Sequence, residues 1–143
     1  MRNRPSRVAR WLRILLVPAL AAVLTAASGT VGYAAADPTP ACGVRYQVTG
    51  AFPPAMQAQL IISNLGQAEI NGWTLRFSFP DKQPLYFFGA ELVSRGADIV
   101  TTRDLGYNAV VPPNGSVTIG YLTTIPAPTP TNFAVNGAPC QAG

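Results

Sequence analysis

The sequence predicts an all-β fold, a β-sandwich, and three observations carry that expectation. Apolar residues recur with a period of two in run after run, as in strands with one face in a core and the other in water. Clusters of turn-forming residues separate the runs. No long 3.6-residue period appears, and 14 prolines and 13 glycines in 143 residues leave little room for helices.

Before the first strand stands a segment of different character. Arg2, Arg4, Arg7, Arg10 and Arg13 precede an apolar stretch from Ile14 to Ala27, and the segment closes on Ala34-Ala35-Ala36, directly before Asp37. That order is the grammar of a secretory signal peptide, so residues 1–36 are expected to be removed and the mature protein to be secreted, with no membrane attachment. A bilayer span needs about 20 apolar residues, and Pro18 interrupts this run. A short extension over 37–41 then leads into one domain over 42–140, with 141–143 as a tail.

In the first run Val44, Tyr46 and Val48 alternate with Arg45, Gln47 and Thr49. In the second, Met56, Ala58, Leu60 and Ile62 alternate with Gln57, Gln59, Ile61 and Ser63. Trp73, Leu75, Phe77 and Phe79 alternate with Thr74, Arg76 and Ser78, which puts Trp73 in the core. Val117, Ile119 and Tyr121 alternate with Thr118 and Gly120. Turns are expected at Asn64-Leu65-Gly66, Pro80-Asp81-Lys82, Ser94-Arg95-Gly96, Pro112-Pro113-Asn114-Gly115 and Asn136-Gly137. Asn114-Gly115-Ser116 also fits the N-glycosylation pattern, but Asn-Gly serves turns through its backbone freedom, and the turn is the preferred reading. The stretch 125–131 has the composition of a linker; with one more strand expected after it, a surface loop fits better.

Charge narrows the partners. The whole chain carries +4, yet five of its ten basic residues lie in the leader. After Asp37 begins the mature chain, five basic side chains face six acidic ones, a net charge of −1 with no basic cluster. Phosphate binding needs several cations on one face, so no nucleic-acid partner is expected. Cys42 and Cys140 are the only cysteines, and in an oxidising compartment the pair reads as a disulfide joining the first strand to the last.

The inventory for catalysis is thin. There is no histidine, and neither a phosphate loop nor a calcium-binding pattern is present, so no cofactor and no metal are expected. Glu69, Asp81, Glu91, Asp98 and Asp104 mostly flank turns, where solvated acids are normal, and no catalytic residue is assigned.

The order of these segments resembles a known family. The stretches Cys42-Gly43-Val44-Arg45-Tyr46-Gln47-Val48-Thr49, Ile61-Ile62-Ser63-Asn64-Leu65-Gly66 and Gly72-Trp73-Thr74-Leu75-Arg76-Phe77-Ser78-Phe79-Pro80 are similar to those of carbohydrate-binding module family 2, the bacterial cellulose-binding domain type. So are Tyr107-Asn108, the run from Asn114 to Tyr121 and the run from Phe133 to Cys140. The resemblance spans Ala41 to Cys140. It implies a Greek-key, immunoglobulin-like arrangement of two sheets with an end-to-end disulfide, a monomer, and a polysaccharide partner such as cellulose, xylan or chitin.

It also implies three exposed aromatic residues, usually tryptophans, against which sugar rings lie. Carried over position by position, they fall on Phe52, on Phe88 with Phe87 as the alternative, and on Tyr107, with Asn108 as a polar neighbour. Trp73 matches the family's core tryptophan. The physics is general, because the apolar C–H face of a sugar ring matches an aromatic face. None of the three is tryptophan here, and polar neighbours are missing at Gly50-Ala51 and Tyr86-Phe87, so weak binding is expected. Since the leader abuts the domain and three residues follow Cys140, a free-standing, non-catalytic module is the first expectation. The alternative is a secreted or cell-surface structural protein that keeps the sandwich without the sugar platform; a small glycosidase comes last.

Overall fold

A computed structural model describes residue 32 and residues 39–80 and 83–143. The expected leader (Gly32 apart), its cleavage point and the Asp81-Lys82 part of one expected turn lie outside the described residues. The described strands are β1 (Cys42–Phe52), β2 (Ala55–Asn64), β3 (Ile70–Asn71), β4 (Thr74–Ser78), β5 (Tyr86–Phe88), β6 (Glu91–Arg95), β7 (Ile99–Arg103), β8 (Val110–Val111), β9 (Ser116–Thr124), β10 (Thr131–Val135), β11 (Ala138–Pro139) and β12 (Gln141–Ala142). No helix occurs among the described residues.

The first sheet has the order β12-β1-β2-β9-β5 and the second β11-β10-β4-β7-β6, with β3 and β8 forming a small third pair. Pairing is antiparallel except between β1 and β12. Strands distant in sequence become neighbours, β2 beside β9 and β4 between β10 and β7, as Greek-key connections require. The two sheets bury one shared core, to which Leu60 and Ile62 of β2, Leu75 and Phe77 of β4, Val100 of β7, Ile119 and Tyr121 of β9, and Phe133 and Val135 of β10 all contribute. Each is in phase with the period-two pattern of its strand.

Trp73 is buried, one residue ahead of β4 and in phase with Leu75, Phe77 and Phe79. Cys42 and Cys140 are bonded, with Cα atoms 4.8 Å apart, so the disulfide joins β1 to the C-terminal segment between β11 and β12. Residues 125–130 form the loop between β9 and β10, held where the Ile125 N–H donates to the Pro54 carbonyl (2.8 Å). Pro112–Gly115 form a turn in which the Gly115 N–H donates to the Pro112 carbonyl (2.8 Å) and Asn114 takes φ 61°. Asn is tolerated at that position, and a Cβ at Gly115 would come within 2.9 Å of the Pro112 carbonyl oxygen, so both residues serve the turn.

Two expectations need correction. Ser94 and Arg95 belong to β6, and the turn follows them, closed by the Gly96 N–H on the Ile99 carbonyl (2.8 Å). Val48, placed in the core by its phase, is 48% exposed. The alternation of β1 fades there because the strand's register with β2 shifts between Val48 and Gly50.

Candidate functional site

That register shift determines which way Phe52 points. Up to Val48, even-numbered residues of β1 lie opposite the inward-facing Ile62, Leu60 and Ala58 of β2. Unbroken alternation would send Gly50 and Phe52 inward as well. A β-bulge absorbs one extra residue, after which Gly50 lies opposite Gln57 and Phe52 opposite Ala55, both on the outer face. Phe52 is accordingly 60% exposed.

The same face is built across the sheet by register. Gln47, Gln59, Gly120 and Phe88 form one row; Gly50, Gln57, Leu122 and Tyr86 form the next; Phe52, Ala55 and Thr124 complete a third. On β5 the two candidates for the second ring separate cleanly. Phe88 lies opposite the outward Gly120 and is 50% exposed. Phe87 lies opposite the buried Tyr121 and packs inward, its ring centroid 5.8 Å from that of Tyr121 and 6.5 Å from that of Phe77.

Tyr107 is 81% exposed and sits on the loop before β8. Side chains around it hold that loop. Asp104 accepts from the Trp73 N–H through Oδ2 (3.0 Å) and from the Gly106 N–H through Oδ1 (2.9 Å). Asn108 accepts from the Leu105 N–H (2.9 Å) and donates through Nδ2 to the Gly89 carbonyl (2.7 Å). The Trp73 indole donates to the Asn108 carbonyl (2.9 Å). The loop bearing Tyr107 is thus tied at once to the core and to the residue after Phe88. Asn108, expected beside the third ring, has its amide group bonded to backbone on both sides.

Sequence reasoning passed over Tyr86. It is 65% exposed and stands two residues from Phe88, on the same face. Its signal was present in the period of two from Phe88, but a three-residue strand carries too little alternation to show it. Three glutamines lie on this face, Gln47, Gln57 and Gln59, with the Gln59 amide donating to Gln47 (3.0 Å), beside the hydroxyls of Thr118 and Thr124. Arg45, opposite Ile61, is the one charged residue registered on it among the described strands. The outer face of the second sheet differs, with Thr74, Arg76, Thr101 and the Arg103–Glu91 ion pair (2.8 Å).

Chemically, this first-sheet face offers flat apolar rings and neutral amides to a ligand, and no grouping of three or more histidine, cysteine or acidic side chains suited to a metal occurs among the described residues. Behind it, the Tyr121 hydroxyl is buried without a hydrogen bond of ordinary geometry. Burial, and then the nearby Tyr46 phenol, push its pKa well above the usual phenol range.

The family described as cellulose binding domain matches residues 42–140. Endoglucanase CelA of Streptomyces lividans is 30% identical over 135 residues, covering 92% of this chain and 28% of that enzyme. The cellulose-binding family 2 carbohydrate binding domain of ScLPMO10C is 28% identical, with a TM-score of 0.51 over 73% of this chain and 99% of that domain. The chitin-binding domain of Chi18aC from Streptomyces coelicolor is 23% identical, with a TM-score of 0.58 over 70% of this chain and 94% of that one, a likeness of fold.

Proposed function

We propose that this chain, which belongs to the cellulose binding domain family through residues 42–140, is a secreted, monomeric polysaccharide-binding module that holds sugar rings against Phe52, Phe88 and Tyr107. The observation that carries the reading is the β-bulge in β1. Against the phase of its own strand, it turns Phe52 out onto the face that also presents Phe88. An exposed ring is costly to keep in water unless something covers it, and the C–H face of a pyranose does so with matching shape.

Tyr86 adds a further ring beside Phe88, and the glutamines can both donate to and accept from sugar hydroxyls. Asn108 acts by holding the Tyr107 loop in place. A broad face, in contrast to an enclosing pocket, suits an extended polymer of the cellulose, xylan or chitin kind. The module works by binding alone: Glu91 is engaged with Arg103, Asp104 with its own loop, and both cysteines with each other. Secretion rests on the leader grammar of residues 1–36.

The test is sedimentation of the protein with insoluble cellulose, xylan and chitin, beside a folded variant carrying Phe52→Ala, Phe88→Ala and Tyr107→Ala. Binding by the parent and its loss in the variant is the expected result. A parent that binds none of the three, or a variant that binds as well, would leave the structural or interaction role. The absence of tryptophan from all three positions favours that second reading.

A further inference from the structure

Resting on the reading that Phe52 meets sugar, we infer that Gly50 is a positioning residue of the binding face: the tip of the Phe52 ring occupies the space in which a side chain at position 50 would begin. A Cβ built on Gly50 would stand 2.5 Å from Phe52 Cζ and 3.1 and 3.2 Å from the two Cε atoms, and these are its three nearest neighbours. Carbon atoms that are not bonded do not approach so closely. The two Cε distances are nearly equal, so the ring straddles Gly50 symmetrically.

Strand side chains ordinarily stand up from their sheet. This one leans back along β1 by two residues and lies across a glycine. Both residues reach the outer face only because the bulge changes the phase of the strand between Val48 and Gly50. A ring laid along the sheet keeps one face turned to solvent, the pose that stacking requires.

The backbone gives no other reason for glycine here. Gly50 is absent from the positive-φ glycines, Gly72, Gly89, Gly106 and Gly137, so any residue could adopt its conformation. Glycine inside a strand weakens it through entropy, and it often marks the close approach of another group. Gly120, beneath Phe88, makes a useful contrast. A Cβ there would lie 3.4 Å from Phe88 Cδ2 and 3.5 Å from the Ala58 carbonyl oxygen, ordinary contacts that leave the Phe88 ring where it is.

Gly50→Ala should therefore move a ring without harming the fold, because the colliding atoms are the far end of a side chain that can swing away. Three variants test this: Gly50→Ala, Phe52→Ala and the two combined. The first readout needs no ligand. In the NMR spectrum of the parent, the Gly50 α-protons should be displaced by the Phe52 ring current, and the displacement should vanish in Phe52→Ala. The second is sedimentation with cellulose, xylan and chitin, and the third is the urea midpoint.

Gly50→Ala is expected to keep or raise the urea midpoint and to weaken binding by about twofold to tenfold, much as Phe52→Ala does, the size of one aromatic contact. The combined variant should bind no worse than Phe52→Ala alone, since Gly50 acts only through that ring. Absence of a ring-current displacement at Gly50 in the parent overturns the inference, as does parent-like binding by Gly50→Ala or a combined loss equal to the product of the single ones. A parent that shows the displacement but binds none of the polymers fails differently. It removes the sugar-binding reading, and Gly50's role with it, while leaving the seat of the ring established.

Discussion

Trp73 connects core and surface through one atom. Its ring is buried, while its indole N–H ends on the Asn108 carbonyl in the loop that bears Tyr107. Trp73→Phe should leave that carbonyl unpaired and open space beside it, at a cost of about 1–3 kcal/mol in urea unfolding, with a loss of binding larger than the folded fraction explains. Trp73, the one tryptophan after residue 36, should also emit at short wavelength when native and shift to the red on unfolding. Tyr121 presents the opposite situation, a buried hydroxyl with no good partner. Its folded-state pKa is raised, chiefly by burial, so its contribution to stability is intact below the ordinary phenol value of about 10 and is lost as pH rises above it, where the unfolded chain ionises first. Tyr121→Phe should be neutral or slightly stabilising at neutral pH and should lose less stability than the parent at about pH 11. The sequence could place Tyr121 in the core by its phase; that its hydroxyl goes unmatched depends on which residues the opposing sheet brings to it.

At the scale of elements, the β-bulge in β1 governs the site. Deleting Thr49 should remove the extra residue and the bulge with it, while Gly50 stays opposite Gln57 and Phe52 opposite Ala55, so that regular alternation itself carries Phe52 outward. The expected outcome is that polymer binding is retained and the urea midpoint changes little, since the same side chains keep the core face and the outer face. A deletion variant that loses binding would show that the bend of the bulge, beyond its change of phase, sets the Phe52 ring. Strands β2, β4 and β9 were legible because both of their faces are strongly typed, apolar within and more polar outside. Those that escaped notice lack that typing. β6 is exposed along almost its whole length, and β7 buries Thr102 where a hydropathy pattern looks for an apolar residue.

For the molecule as a whole, the disulfide spans a sequence separation of 98 and closes almost the entire described domain into one ring. Reduction, or replacement of both cysteines by alanine, should lower stability by about 4–5 kcal/mol on the chain-entropy account. The midpoint of urea unfolding with and without reductant measures it. Charge is nearly balanced from Asp37 onward, and the proposed face has Arg45 as its single charged residue among the described strands. Binding should therefore change less than about twofold between low salt and about 0.5 M salt, since apolar contacts are not screened. A steep loss with salt would point to an acidic ligand and a different surface.

Local pattern by itself determined the β class, the core phase of Trp73, Leu75, Phe77 and Phe79, and the pairing of the two cysteines. Each of these depends on periodicity, composition or elimination within a short stretch of chain, which a linear reading contains in full. The family resemblance added which aromatic positions to inspect. Only the tertiary structure decided how those positions are used: that Phe88 and not Phe87 faces outward, that a bulge turns Phe52 away from the core, that Gly50 makes room for its ring, and that Asn108 spends its amide on the loop beneath Tyr107. These are matters of register between strands far apart in sequence. A shift of one residue there exchanges the two faces of a strand while leaving its composition unchanged, so no local pattern can report it.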